Sequence, residues 1–248
     1  MNAGVVSGTD AARSWLAAAR RIVVLTGAGM SAESGVPTFR DALTGLWAHD
    51  RPEDLATEAA YRARPSKVWA WYAMRRERVS MARPNAGHRA LADFQRAHPQ
   101  RLTVVTQNVD GLHQQAGSTG VLALHGNLHD DRWLDAPRAC CLVQPAAPGS
   151  PPACPQCGNL RRPAVVWFGE ALPKPVLQGA QEAARACDLM LVVGTSGLVH
   201  PAAGLPRLMR QGAHVVVINP EPSALDSAAH LVIRGTAATV LPDLLETT

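Results

Sequence analysis

The sequence predicts an α/β fold built around one open parallel sheet, and two observations carry that prediction. Short runs rich in Val, Leu and Ile recur along the chain and are apolar at consecutive positions, the pattern of strands covered on both faces. Between them lie stretches of helical period, and such alternation is what a parallel sheet flanked by helices requires.

Taken in order, the β-rich runs are 21–26 (RIVVLT), 101–106 (RLTVVT), 121–125, 164–167, 188–194 (DLMLVVG), 214–219 (HVVVIN) and 230–233, and the helical patterns are 10–20, 86–97, 175–186 and 201–211. Two stretches interrupt the alternation. From 41 to 83 the chain carries helix-like sequence, Pro65 to Arg76, where a β-unit is due; from 126 to 163 it is loop-rich, with Pro and Cys concentrated between 136 and 157. The economical organisation is a main domain from 9–40, 84–125 and 164–248, with 41–83 and 126–163 joining into a small second domain made of a helical module and a cysteine-containing module.

Composition narrows the class. With 248 residues, 47% apolar and 18% charged, the chain has ample material for a buried core. A formal charge of +4 and a pI near 9.0 come from arginine, since lysine occurs only at Lys67 and Lys174. The densest basic stretch, Arg75 to Arg78, has Glu77 inside it and sits in an amphipathic pattern, so a nucleic-acid partner is not implied. No charged segment followed by an apolar stretch opens the chain, and no apolar run approaches ~18 residues. Neither secretion nor membrane spanning is supported, and a cytoplasmic location is expected. Four of the five cysteines (Cys140, Cys141, Cys154 and Cys157, leaving Cys187) cluster in one segment, which suits a metal or former metal site better than a disulfide framework.

Straight after the first strand comes Gly27-Ala28-Gly29-Met30-Ser31-Ala32, the G-x-G-x-x-G/A pattern in which glycines let backbone approach a pyrophosphate; this makes the main domain Rossmann-like and NAD its expected ligand. The same residues also serve a plain strand-to-helix turn. The acidic residue that ends the second strand of simple dinucleotide folds is missing, and Asn219 and Glu221, after HVVVIN, could hydrogen-bond the ribose in its place.

From this motif onward the chain resembles the sirtuins over nearly its whole length. Residues 27–40 (GAGMSAESGVPTFR), 106–113 (TQNVDGLH), 124–127 (LHGN), 166–170 (VWFGE), 194–196 (GTS) and 219–221 (NPE) are similar to that family's motifs in order and spacing. The resemblance implies an NAD-dependent protein lysine deacylase that yields nicotinamide and O-acyl-ADP-ribose, with acylated lysine in proteins or peptides as partner. It implies His125 as the catalytic base, aided by Asn108. Gly27, Ala28, Gly29, Ser31, Glu33, Thr38, Phe39, Arg40, Gln107, Asn108, Asp110, Gly194, Thr195, Ser196, Asn219, Glu221 and Ala237 would hold NAD.

Chemistry stands beside the resemblance. Breaking the bond from nicotinamide to ribose creates an oxocarbenium-like carbon, so the site must hold the ribose and exclude water. Phe39 and Arg40 suit closure over the ribose. Gln107, Asn108 and Asp110 sit at a strand end, where open α/β sheets bind ligands. An imidazole near neutrality can take a proton from a ribose hydroxyl, whereas His113 and His129 are expected to be structural. Val166, Phe168 and Gly169 would lie beside the bound peptide and offer backbone for strand addition.

Tyr72 and Arg75, three residues apart, share one helix face. In isolation they form an ordinary exposed pair. The surrounding sequence, Asp54 to Thr57, Pro65 to Trp69 and Pro84 to His88, resembles the sirtuin branch that removes succinyl, malonyl and glutaryl groups, which implies that Tyr72 and Arg75 bind the acyl carboxylate and that small Ala56 leaves room for the chain. A planar guanidinium suits a carboxylate bidentately.

The sirtuin small domain usually holds zinc with two Cys-x-x-Cys pairs. Cys154 and Cys157 form the second. The first should fall at Trp133 and Ala136, which cannot ligate, and Cys140 and Cys141 are adjacent, an awkward geometry for one ion. A shifted site and loss of the metal, with Trp133 packing instead, both stand open, and less than one equivalent of tight zinc is expected. Mono-ADP-ribosyl transfer, a non-catalytic NAD-binding module and a hydride-transferring oxidoreductase are the alternatives; Tyr72 and Arg75 speak against the first, and Asn108, Asp110 and His125 against the second.

Overall fold

The computed structural model describes residues 8–37, 54–142 and 150–246. Helix α1 (Gly8–Ala18) leads into β1 (Ile22–Thr26), which a 3-10 segment, Ala28–Ser34, follows directly. Helices α2 (Glu58–Ala63), α3 (Pro65–Met81) and α4 (Ala86–Ala97) precede β2 (Leu102–Thr106), the short α5 (Leu112–Gln115), β3 (Leu122–Ala123), β4 (Gly126–Trp133) and β5 (Arg161–Val165). Then come α6 (Lys174–Ala186), β6 (Leu189–Val193), β7 (His214–Ile218), β8 (Leu231–Ile233) and α7 (Ala237–Leu245).

Six strands form a parallel sheet in the order β3-β2-β1-β6-β7-β8, the doubly wound arrangement in which the chain returns to the middle and builds outward on the other side. The period of two explains how β1 is held. Ile22 and Val24 enter one core with Leu16 of α1, Leu91 and Phe94 of α4 and Leu241 and Leu244 of α7, while Val23 and Leu25 enter the other with Ala180 and Ala184 of α6. Each such buried Val, Leu or Ile stabilises the fold by about 1.5–3 kcal/mol relative to exposure.

A third core lies elsewhere. Tyr61 of α2 and Val68, Trp69, Tyr72 and Val79 of α3 pack with Leu128 of β4, Val165 of β5 and Trp167, so the two sequence interruptions share one apolar cluster. Strands β4 and β5 pair antiparallel as a separate two-stranded sheet.

Three elements differ from the sequence pattern. The stretch 126–133 (GNLHDDRW) is a strand, hidden in the sequence because only Leu128 is fully buried and a register shift between Gly126 and Asp131 breaks the alternation. The run expected at 164–167 is β5, which starts earlier, ends at Val165 and joins β4 rather than the parallel sheet. The helical pattern at 201–211 is a 3-10 segment, Ala202–Leu208, containing Pro206, which has no N–H to continue an α-helix. Among the described residues no helix is long and apolar enough to cross a membrane.

Candidate functional site

The strand order reverses between β1 and β6, and a sheet of this kind opens a crevice there, beyond the carboxyl ends of its strands. Both ends carry glycine. Gly27 N donates to Val193 O at 3.0 Å and Gly29 N to Gly194 O at 2.8 Å, so the turns after β1 and β6 lie directly on one another. A Cβ at Gly27 would stand 2.7 Å from Cβ of Thr195, and one at Gly29 only 2.8 Å from Cα of Gly194. Side chains are thus excluded at both positions, which lets the two turns pack backbone against backbone.

From the end of β2 a polar web spreads over that floor. Gln107 Nε2 donates to Thr195 Oγ1 at 3.0 Å, and Asn219 Nδ2, at the end of β7, donates to Thr195 O at 3.1 Å. Ser31 Oγ donates to Asp110 Oδ2 at 2.7 Å and accepts from Asn108 Nδ2 at 3.1 Å, leaving the Asn108 carbonyl oxygen free of that pair. Asp110 also accepts from Leu112 N at 2.9 Å, an Asx turn that leads into α5. Burial raises the Asp110 pKa above the usual carboxylate range, against the lowering effect of these hydrogen bonds.

His125 follows β3. Its Nδ1 lies 2.9 Å from the Gln107 carbonyl oxygen, which can only accept, so Nδ1 carries the proton and Nε2 of the neutral ring is left as a base. Burial holds its pKa below the ordinary imidazole value, with the Gln107 bond opposing. On its other side His125 O accepts from Val166 N at 2.9 Å, and Phe168 N donates to Ala56 O at 2.9 Å. The segment 166–169 therefore runs between the histidine and the loop before α2; Phe168 and Gly169 are exposed there.

On α3, Tyr72 is buried and Arg75 partly so. The Arg75 guanidinium carbon lies 4.7 Å from the Trp71 ring centre and 5.6 Å from that of Tyr72. No described carboxylate forms an ion pair with it; burial lowers its pKa, with Tyr72 and Asp110 pulling the other way.

The sequence pattern of the Sir2 family matches residues 27–201. A protein of Ralstonia nicotianae described as an NAD-dependent protein deacylase is 60% identical over 235 residues, 94% of each chain. Among solved structures, a Sir2 homologue in complex with NAD superimposes with a TM-score of 0.85 at 43% identity, covering 94% of this chain and 91% of the other. A Sir2–p53 peptide–NAD⁺ structure does so with a TM-score of 0.79 at 30% identity, covering 94% and 95%. The chain belongs to the Sir2 family.

Seen as a Sir2-family site, the crevice gathers most of the residues singled out in the sequence. Gly27, Gly29, Ser31, Gln107, Asn108, Asp110, Gly194, Thr195 and Asn219 are linked by the bonds above. Glu33 lies off the web, its carboxylate accepting from Ala238 N at 3.1 Å, at the start of α7, where Ala237 packs against Gly87. Glu221 is exposed, its carbonyl oxygen held by Arg234 at 3.0 Å. Ala28 sits in the turn itself, and Ser196 O accepts from Ala224 N at 2.9 Å. Thr38, Phe39 and Arg40 lie outside the described residues.

Two further residues support the site: Asn85, unremarked in the sequence, and His113, expected there to be structural. Asn85 caps α4 through Gly87 N and His88 N and also donates to Met30 O at 2.8 Å and Ser34 Oγ at 3.1 Å, tying that helix to the glycine turn; an Asn just before a helical pattern was the available sign. His113 donates from Nε2 to Thr26 Oγ1 at 3.1 Å, Thr26 donates to Thr106 Oγ1 at 2.8 Å, and Thr106 accepts from Asn108 N at 3.0 Å. A buried histidine thereby sets the height of Asn108, and no local pattern announces it.

The cysteines settle a geometric objection. Sγ atoms of Cys140, Cys141, Cys154 and Cys157 all lie within 4.8 Å of one another, so adjacent thiols do reach one centre. Four thiolates at such separations fit a tetrahedral zinc. Trp133, in the place of a family ligand, stacks instead with Arg161, whose guanidinium carbon is 5.1 Å from the ring centre.

Proposed function

We infer that His125 is the proton acceptor of an NAD-dependent lysine deacylation. The observation that carries this reading is its Nε2, left without a hydrogen bond among the described residues while Nδ1 is held by Gln107 O, beside the switch point of the sheet. NAD supplies the electrophilic ribose carbon: the acyl-lysine amide oxygen bonds to it as the bond to nicotinamide breaks, and with one water the products are nicotinamide, O-acyl-ADP-ribose and free lysine. The glycine turns and Thr195 hold its phosphates, Asn219 and Glu221 its adenosine ribose, and Asn108, oriented by Ser31 and Asp110, meets the carboxamide end. His125 then takes a proton from a ribose hydroxyl, sharpening that oxygen for attack on the acyl carbon.

The peptide lies along Val166 to Gly169, on the side of that segment not taken by the bonds from Val166 N to His125 O and from Phe168 N to Ala56 O. The acyl group is of the kind that ends in a carboxylate. A partly buried guanidinium set beside the Trp71 and Tyr72 rings, with no ion pair to a described carboxylate, supports this, because an incoming anion would offset its burial. Four cysteines gathered as a set of metal ligands rather than as a disulfide framework suit a reducing compartment, the cytoplasm. The test is nicotinamide release from NAD with acetyl-, succinyl- and malonyl-lysine peptides: turnover should need an acylated peptide, favour the acidic acyl groups and produce no NADH absorbance. NAD cleavage without peptide would overturn the reading.

A further inference from the structure

Tyr72 does not face the acyl site alone. Its hydroxyl oxygen accepts from the indole Nε1 of Trp167 at 2.8 Å, inside the core shared by α3 and β5. A phenolic hydrogen lies near the ring plane and has two positions available, and a donor on one side leaves it only the other. The indole thus decides where the Tyr72 proton points.

What holds the indole is equally specific. Arg162 of β5 is 1% exposed and lies with its guanidinium carbon 3.2 Å from the Trp167 ring centre. Through both terminal nitrogens it binds Glu170, and through Nη2 it also binds Val165 O at 2.8 Å. Glu170 in turn accepts from Trp167 N at 2.8 Å and from the half-exposed Arg132 at 3.1 Å. Burial raises the Glu170 pKa, but the Arg162 and Trp167 bonds outweigh it and keep the group anionic. One bidentate ion pair therefore fixes both the backbone and the ring of Trp167.

We propose that Trp167 is a specificity-positioning residue: its indole N–H occupies one side of the Tyr72 hydroxyl so that the phenolic proton is presented to the carboxylate of the acyl group, and the Arg162–Glu170 clamp holds it in that pose. This rests on the acidic-acyl reading of Tyr72 and Arg75. The expected signature is selective: a misdirected proton weakens binding of an acidic acyl group more than that of an acetyl group, which has no carboxylate.

The experiment removes the indole N–H. Trp167→Phe, and benzothienylalanine at position 167 as the isosteric version that spares the packing, are assayed with succinyl- and acetyl-lysine peptides beside Tyr72→Phe, Arg75→Met and the doubles with Tyr72→Phe. The expected result is a rise of about 3- to 10-fold in KM for the succinyl peptide relative to KM for the acetyl peptide. In the Tyr72→Phe background the substitution should add nothing further. Additive losses, or equal losses on both peptides from benzothienylalanine, would show that Trp167 only fills space and would overturn the proposal while Arg75→Met still collapses the substrate ratio. If Arg75→Met leaves that ratio unchanged, the acyl-class reading fails and this proposal with it.

Discussion

The sulfur atoms of Cys141 and Cys157 stand 3.6 Å apart, close to the separation that two thiolates take on one tetrahedral zinc, about 3.8 Å for Zn–S bonds of about 2.3 Å. Cys140 and Cys154 fall inside the same sphere, so the protein should purify with one equivalent of zinc, against the expectation drawn from ligand spacing. Metal analysis of wild type and Cys141→Ser checks this. The variant should hold well under one equivalent and melt at lower temperature, because zinc binding is folding free energy for a loop-rich module. Free thiols and no zinc in the wild type would show that the module folds by packing alone.

Acid should weaken the fold through two histidines outside the chemistry. His88 and His113 face each other at 4.8 Å between ring centres, and burial, reinforced for His113 by its neighbour, lowers their pKa values to about 4 and about 3. Both are bases with folded values below the unfolded ~6.5, so the unfolded state binds more protons between these limits. Their contribution is complete above pH 6.5 and is lost as pH falls toward 4, by about 3 kcal/mol for each. Urea midpoints measured from pH 4.5 to 7.5 should rise with pH and then level; a flat profile would sink the assignment.

The parallel sheet was legible because its strands are buried on both faces, and consecutive apolar runs such as residues 189–193 can be little else when helical patterns flank them. The β4–β5 pair was not, because its stability comes from Leu128 and Val165 meeting a helical cluster distant in sequence. Motif residues at strand ends were visible individually. Their arrangement was not, since the bonds from Ser31 to Asp110 and from Thr26 to Thr106 join segments about eighty residues apart, and hydrogen-bond partners at that range leave no periodic trace.

His125→Ala should abolish deacylation while NAD binding survives, because the bonds that shape the cofactor floor run through Gln107, Ser31 and Thr195 rather than through the imidazole. Isothermal titration with NAD, beside peptide turnover, separates the two effects. In wild type the rising limb of kcat/KM against pH should lie below the ordinary imidazole pKa, since burial depresses His125 and the unprotonated ring is the competent form. Near wild-type turnover in the variant would remove His125 from the mechanism.

Arg75 should decide which acyl group is removed. It lies against Trp71 and Tyr72, where burial disfavours a guanidinium with no carboxylate paired to it among the described residues, and a carboxylate-bearing acyl chain supplies that partner. Truncating one side of such a desolvated charge pair costs ~2–5 kcal/mol, and ~1.4 kcal/mol is tenfold, so Arg75→Met should lower kcat/KM on succinyl-lysine by roughly 30- to several-thousand-fold. Acetyl-lysine makes no use of the charge, and its turnover should stay level or rise as a buried cation disappears. Tyr72→Phe should move the ratio the same way by less, because a neutral hydrogen bond is the weaker partner. Absolute rates alone would not discriminate, since a loosened α3 slows every substrate. The ratio of succinyl to acetyl turnover does: a fall tracks loss of carboxylate recognition, whereas equal losses would make Arg75 a packing residue and the protein a general deacetylase.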